Sequence, residues 1–258
     1  MKNMVVWSLF DSGNGSYFKV LKDMDNIENF SIGLDIENKN DHFINLNLAD
    51  YSYHFTKENI IFNELDKLPH PDLIIASPPC ESWSVASAME KGNACWKQER
   101  GDSLFEPQTP LSKFTIRDNL DFENHAYSQE KAFVTRVNGE LTIFNTIQII
   151  KRYKPKYHII ENPAFGRIWD YIKEVLGFKI TYENLTYYNN YDYPIKKPTK
   201  FGSNINLNLS KEQKRNEIKW EEMKGYNNRS NIPEKLVEDI FNKVKSKIEL
   251  EGKEEQNA

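Results

Sequence analysis

The chain has 258 residues, a formal charge of −4 and two cysteines. That length holds one large domain, or a domain with a small lobe, and is ample to bury a core. Two cysteines exclude a disulfide framework, the opening residues lack the apolar run of a signal peptide, and no stretch approaches the ~20 apolar residues that span a bilayer. The expectation is a soluble protein of a reducing, cytoplasmic compartment. The net acidity disfavours a general electrostatic grip on nucleic acid but leaves room for a local one, at Lys151 to Lys156 or Lys196 to Lys200. Each cluster reads first as a solvated face.

Taken in order, Met4 to Phe10 is a short apolar, β-branched run that predicts a buried strand, ended by Asp-Ser-Gly-Asn-Gly-Ser. Residues 17–27 carry apolar side chains at helical spacing. Phe30 to Glu37, His42 to Asp50 and Pro71 to Ser77 predict three further strands. Leu141 to Tyr153 predicts a helix with Ile143, Ile147 and Ile150 on one face, followed by a strand over Lys156 to Asn162. A helix over 165–176 ends at Gly177, later strands cover 178–188 and 201–207, and a last helix over 232–250 opens with Pro233 in its first turn. Strands alternating with helices give an α/β class with a mostly parallel sheet and helices on both faces. Residues 88–138 show no clear period and read as a functional insert. Residues 206–228 are polar, and 251–258 read as a frayed tail.

In an open parallel sheet, ligands bind outside the carboxyl ends of the strands. Each distinctive polar feature falls at such an end: Asp11 to Ser16, then Asp35, Asp50, Pro78-Pro79-Cys80 and Glu161-Asn162-Pro163. The glycine pair permits close approach of backbone to a ligand, although a tight turn explains it equally. Asp35 follows it by about 20 residues, the spacing of a carboxylate that grips ribose hydroxyls, or else it caps a helix. A free cysteine is more often a small buried apolar residue than a nucleophile. Cys80, however, follows two prolines that fix φ, and a turn or helix N-terminus near its sulfur would favour thiolate. Cys95 has no such frame, and His158, inside a strand, reads as a core residue.

These motifs resemble, in order, those of the DNA cytosine-5 methyltransferases. "SLFDSGNGSYFKVLK" is similar to the family's first motif, which implies Phe10 against adenine and Gly13 and Gly15 near the methionine part of S-adenosylmethionine. "GLDIE" resembles the second, implying Asp35 on the ribose and Ile36 on the adenine face. Asp50 matches the acid that meets the adenine amino group. "SPPCESWS" resembles the nucleophile motif, with Cys80 as the thiol and Pro78 in the cofactor wall. "YKPKYHIIENP" resembles the segment ending in the catalytic acid, Glu161. "YPIKKPTKFGSN" resembles the basic motif, and "RSNIPEKLVEDIF" the last, whose Ser230 and Asn231 return to the cofactor.

The departures are specific. One extra residue lies between Phe10 and Gly13. Glu81 and Trp83 stand where the family has Gln and Phe, and Pro163 where it has Val. Lys197 and Thr199 stand at the two expected catalytic arginines. The recognition region between the basic and last motifs is short, and the extra length lies after Cys80.

The resemblance implies a Rossmann-like S-adenosylmethionine-dependent methyltransferase fold with a small recognition lobe. Residues 1–205 would form the catalytic domain, including insert 88–138. Residues 206–228 would form the recognition segment, and 229–250 a helix packing back. It implies methyl transfer to C5 of cytosine in double-stranded DNA by a monomer in a bacterial or phage-infected cell, with a cognate restriction endonuclease among the partners such enzymes have. In the insert, Lys91, Trp96, Lys97, Arg100, Phe105, Lys113 and Arg117 either fill the gap of a flipped base or form a solvated loop. Lys196, Lys197, Lys200, Lys211, Lys214 and Arg215 are candidate phosphate contacts. The same chemistry on RNA or a nucleotide, and a non-catalytic relative that only binds, are the alternatives.

Overall fold

The computed structural model describes residues 3–11, 15–34, 42–85, 129–219, 222–223 and 230–256. Seven strands form one sheet: β1 (Met4–Leu9), β2 (Ile27–Gly33), β3 (Phe43–Asn45), β4 (Leu73–Ala76), β5 (Tyr157–Pro163), β6 (Tyr182–Tyr187) and β7 (Pro198–Ser203). Their spatial order is β3-β2-β1-β4-β5-β7-β6. All neighbours are parallel except at β7, which runs antiparallel to β5 and β6. Helices α1 (Ser16–Leu21), α2 (Tyr53–Thr56), α3 (Ile60–Leu65), α4 (Gln129–Tyr153), α5 (Ile168–Asp170) and α6 (Glu234–Gln256) connect or follow them. This is a Rossmann-like α/β fold: the alternation of strands and helices predicted the α/β class and mostly parallel sheet, and the resemblance implied the Rossmann-like form.

The central strands are buried on both sides, so they read as continuous apolar runs rather than alternating ones. Their side chains still alternate between two cores. Val5, Trp7 and Leu9 pack with Ile74, Ile143, Ile147 and Ile150 beneath α3 and α4. Met4, Val6, Leu73 and Ile75 pack with Tyr17, Leu236, Val237, Ile240 and Phe241 beneath α1 and α6. Each fully buried Leu, Ile or Val contributes roughly 1.5–3 kcal/mol, which makes the sheet interior the rigid base of whatever stands on its rim.

Boundaries differ from the sequence reading where tertiary contacts outweigh local pattern. The strand expected over His42 to Asp50 spans only Phe43–Asn45, and two short helices, α2 and α3, follow it unpredicted. Helix α4 begins at Gln129, inside the stretch read as an insert without period. The helix predicted over 165–176 is α-helical only over Ile168–Asp170 and continues as a π-helical turn, Tyr171–Val175. Helix α6 runs to Gln256, past the expected point of fraying, and Glu251 near its end accepts from Tyr157 Oη and pairs with Lys156 Nζ. Leu207 and Leu209, in the segment read as recognition, are buried in the core beneath α6.

The reversal at β7 has a functional result. It puts the start of β7 on the same rim as the ends of β4 and β5, with Thr199 opposite Pro163. Lys196 to Lys200 therefore reach the rim. Lys151 to Lys156 precede β5 and lie at the other end of the sheet, where Arg152 pairs with Asp66 and Lys156 with Glu251. The solvated-face reading holds for that cluster.

Candidate active site

Strands β4 and β5 are neighbours with Ala76 opposite Ile160, so Ser77-Pro78-Pro79-Cys80 and Glu161-Asn162 leave the sheet side by side. Fully buried Asn162 locks the two together: its Nδ2 donates to Pro78 O at 2.9 Å. Beyond the prolines the chain turns tightly, with Trp83 N and Ser84 N both donating to Cys80 O. Buried Trp83 packs against Tyr171 at 5.0 Å between ring centroids, and its carbonyl accepts from Arg167 N. Ser82 Oγ donates to Thr135 O on α4, and a Cβ on Gly139 would come within 2.6 Å of that hydroxyl. The cysteine turn is thus clamped by β5, α4 and the residues before α5. Cys80 is a free, half-buried thiol.

Burial raises the Cys80 thiol above its ordinary value, the Lys197 ammonium pulls it down, and Glu161 and Glu81 push it up. Glu161 is buried and its carboxyl is raised, by burial first, against Lys197 and hydrogen bonds from Ser77 and Tyr188. Lys197 is lowered by burial and held up by Glu161 and Cys80. These mutual effects place thiol, carboxyl and ammonium near one another at three strand termini, in surroundings partly shielded from water. Lys197 Nζ also lies 4.7 Å from the Tyr188 ring centroid and donates to Ser230 O at 3.4 Å. Thr199 is fully buried in β7, bonded to Lys197 O and to Tyr188. It reaches the acid only through Tyr188.

The other half of the rim stands above β1, β2 and β3. Phe10 ends β1 at φ 63°, a left-handed conformation costly for a side-chain residue. Asp11 turns inward and is buried, its Oδ2 accepting from Phe18 N on α1 at 2.9 Å and from Ser31 Oγ at 3.2 Å. Burial lifts its carboxyl to about 7 despite those bonds. Gly33 passes close beneath: a Cβ there would lie 3.1 Å from Asp11 O. Gly15 stands at the N-cap of α1 with extended backbone. Ser16 Oγ accepts from Ile232 N, which brings Ser230 and exposed Asn231 beside the start of α1. Asp50 Oδ1 accepts from Ser52 N and Oγ, and Asn145 Nδ2 on α4 pins the carbonyls of Leu48 and Asp50. Gly13, Asp35, Ile36, Cys95 and the seven named insert residues lie outside the described residues.

The residues present fit S-adenosylmethionine. Asp50 Oδ2 takes no hydrogen bond among the described residues and so can accept from an adenine amino group. Leu34 and Tyr51, on the same rim, expose large apolar surfaces that suit a base.

The sequence reading did not single out Ser77, Tyr17, Tyr188, Asn145 or Gly139. Only Gly139 left a signal, as a glycine inside a helix where close packing requires it. His158 is a core residue as expected: its ring packs edge-on to Phe178, and burial lowers it to about 4.

No protein-family model matches the chain, and no curated protein matches it. Among solved structures, it is similar to an E. coli prophage-encoded protein named as a DNA modification methyltransferase. The TM-score is 0.41 at 12% identity, covering 78% of this chain and 46% of that one. It is also similar to the Entamoeba histolytica methyltransferase EhMeth, with a TM-score of 0.41 at 15% identity, covering 83% of this chain and 58% of that one. The chain spans about half the length of these structures.

Proposed function

We propose that the protein transfers a methyl group from S-adenosylmethionine to C5 of cytosine in DNA. The observation that supports this reading is the convergence of Cys80, Glu161 and Lys197 on one rim, from the adjacent ends of β4 and β5 and the start of β7.

Cytosine C5 is a poor nucleophile until a thiolate adds at C6 and makes the ring enamine-like there. Cys80 supplies that thiolate; burial raises its thiol on balance, and the Lys197 charge offsets part of that rise. Addition at C6 pushes electrons toward N3, which then needs a proton. A carboxyl raised by burial holds a proton more readily than an ordinary one, and Glu161 is such a group. Lys197, in place of an arginine, holds a compact positive charge beside both groups and can donate to the cytosine O2. When bound, S-adenosylmethionine supplies the electrophilic methyl group. Phe10, Gly13, Gly15, Asp35, Ile36, Asp50, Pro78, Ser230 and Asn231 would hold it. Loss of the C5 proton and of the thiol restores the ring and frees Cys80. A cytosine inside a duplex cannot enter this pocket, so the base must be flipped out at a cost of a few kcal/mol.

The test is a cytosine methylome. The protein and its Cys80→Ser variant are expressed in cells lacking 5-methylcytosine, and DNA and RNA are sequenced after conversion. Methylation of DNA at a short fixed motif, absent in the variant, is the expected result. An unmodified genome from folded protein overturns the DNA reading, and modified RNA in its place moves the same chemistry to RNA.

A further inference from the structure

Glu161 ends a chain of hydroxyls, buried at Tyr17 and Tyr188 and half-buried at Ser77. Tyr17 Oη lies 2.7 Å from Ser77 Oγ, and Ser77 is hydrogen-bonded to Glu161. On the other side Tyr188 Oη donates to Glu161 Oε1 at 3.5 Å and is itself bonded to Thr199. Tyr17, Tyr188 and Thr199 are buried, so their hydroxyls bond to neighbouring protein groups, Thr199 also to Lys197 O. Tyr17 comes from α1, two residues past Gly15, and Ser77 is the last residue before the prolines that present Cys80.

A hydroxyl carries one proton and two lone pairs. While Glu161 is ionised, Ser77 donates to it and must therefore accept from Tyr17. Once Glu161 carries a proton, Ser77 is released to donate toward Tyr17. The direction of the chain thus follows the charge of the acid, and disturbing Tyr17 changes the energy of that charge. The helix bearing Tyr17 opens at Gly15, beside the segment pinned by the Ser16–Ile232 bond.

We infer that Tyr17 and Ser77 are positioning residues that orient Glu161 and link its protonation to the turn opening α1, where the methyl donor would sit. The inference rests on the reading of Glu161 as the acid. The other groups facing that carboxyl are Lys197 from the start of β7, Cys80 from the turn after β4 and Tyr188 from the end of β6, with Asp11 beyond Tyr17. Tyr17 and Ser77 connect the carboxyl to α1 by hydrogen bonds.

The experiment is an infrared pH titration of the carboxyl C=O stretch in the full chain, with the Glu161 band assigned by subtracting the Glu161→Gln spectrum. Tyr17→Phe removes the donor to Ser77 and raises the Glu161 midpoint by about half a unit or more. Ser77→Ala raises it further, and Ser77→Thr restores it. S-adenosylhomocysteine shifts the wild-type midpoint and fails to shift that of Tyr17→Phe. A midpoint unmoved by Tyr17→Phe, or a Ser77→Ala and Ser77→Thr pair that titrate alike, overturns the inference. The titration requires no methyl transfer, so it stands if cytosine proves not to be the substrate. Methylation with unmoved midpoints would sink the hydroxyl chain alone.

Discussion

Around Cys80, Glu161 and Lys197 the rim is held by buried side chains, whereas above β1, β2 and β3 it is held mainly by backbone turns. In the first region Asn162 ties two strand ends, Ser82 and Gly139 seat the cysteine turn on α4, and hydroxyls flank the acid. In the second, Phe10 at positive φ, the extended Gly15 and the Asp50 turn shape the surface, and Asp50 keeps an oxygen open. The difference matches what the proposed reaction would ask of each half. Covalent chemistry needs groups fixed within a fraction of an ångström, which over-determined packing provides. Holding a flexible cofactor needs backbone that approaches closely and a few open acceptors.

Substitutions in the two halves should therefore fail differently. Glu161→Gln has the largest expected effect: turnover falls by ~10²–10⁴-fold, because the N3 proton has no source, while donor affinity changes only by the small factor that its link to α1 carries. Calorimetry with S-adenosylhomocysteine beside single-turnover kinetics checks both halves of that statement. Asp50→Ala should do the reverse. The loss of one acceptor raises the dissociation constant by about tenfold and leaves turnover at saturating donor nearly intact. If both substitutions lowered turnover alike, the division into two regions would be wrong.

The smallest effect belongs to Asp11, which joins the regions by anchoring α1. Its carboxyl titrates at about 7 in the folded chain against an ordinary 3.8, so the native state binds that proton more tightly than the unfolded chain does. The stability it contributes is complete below the ordinary value and is lost as pH rises through about 7. His158, at about 4 against 6.5, acts in the opposite sense over its own window. The unfolding free energy of Asp11→Asn relative to wild type should therefore grow across the Asp11 window, by at most ~1.4 kcal/mol per pH unit. Urea titrations at several pH values measure the difference directly, and a flat difference would place Asp11 in solvent.

The α/β class and the rim were legible because apolar runs and the Pro-Pro-Cys and Glu-Asn-Pro punctuation lie on buried strands whose ends must face ligand. The convergence of Cys80 with Glu161 followed from the adjacency of β4 and β5. The pocket's inner lining was not legible. Tyr188 sits in an unremarkable Tyr-Tyr-Asn-Asn, and Tyr17 reads as one apolar helical position among several. Their hydroxyls acquire meaning only when β6 and α1 are brought to Glu161 by tertiary packing. The short span of β3 was missed for a similar reason. Phe43–Asn45 pairs with β2, Leu46 N adds one further bond to Gly33 O, and Leu46 and Leu48 are then buried in the core as the chain turns away.

The central claim is that the Cys80 thiol adds to a cytosine ring, and covalent trapping tests it most directly. Fluorine at C5 cannot leave as a proton does, so the thiol that has added to C6 is not released after methyl transfer. Genomic DNA amplified with 5-fluorodeoxycytidine triphosphate is incubated with the protein and S-adenosylmethionine, then run under denaturing conditions. The account predicts a DNA-linked species that requires the methyl donor and is absent with Cys80→Ser. Folded protein that binds the donor yet forms no such species, or forms it equally with Cys80→Ser, would contradict it.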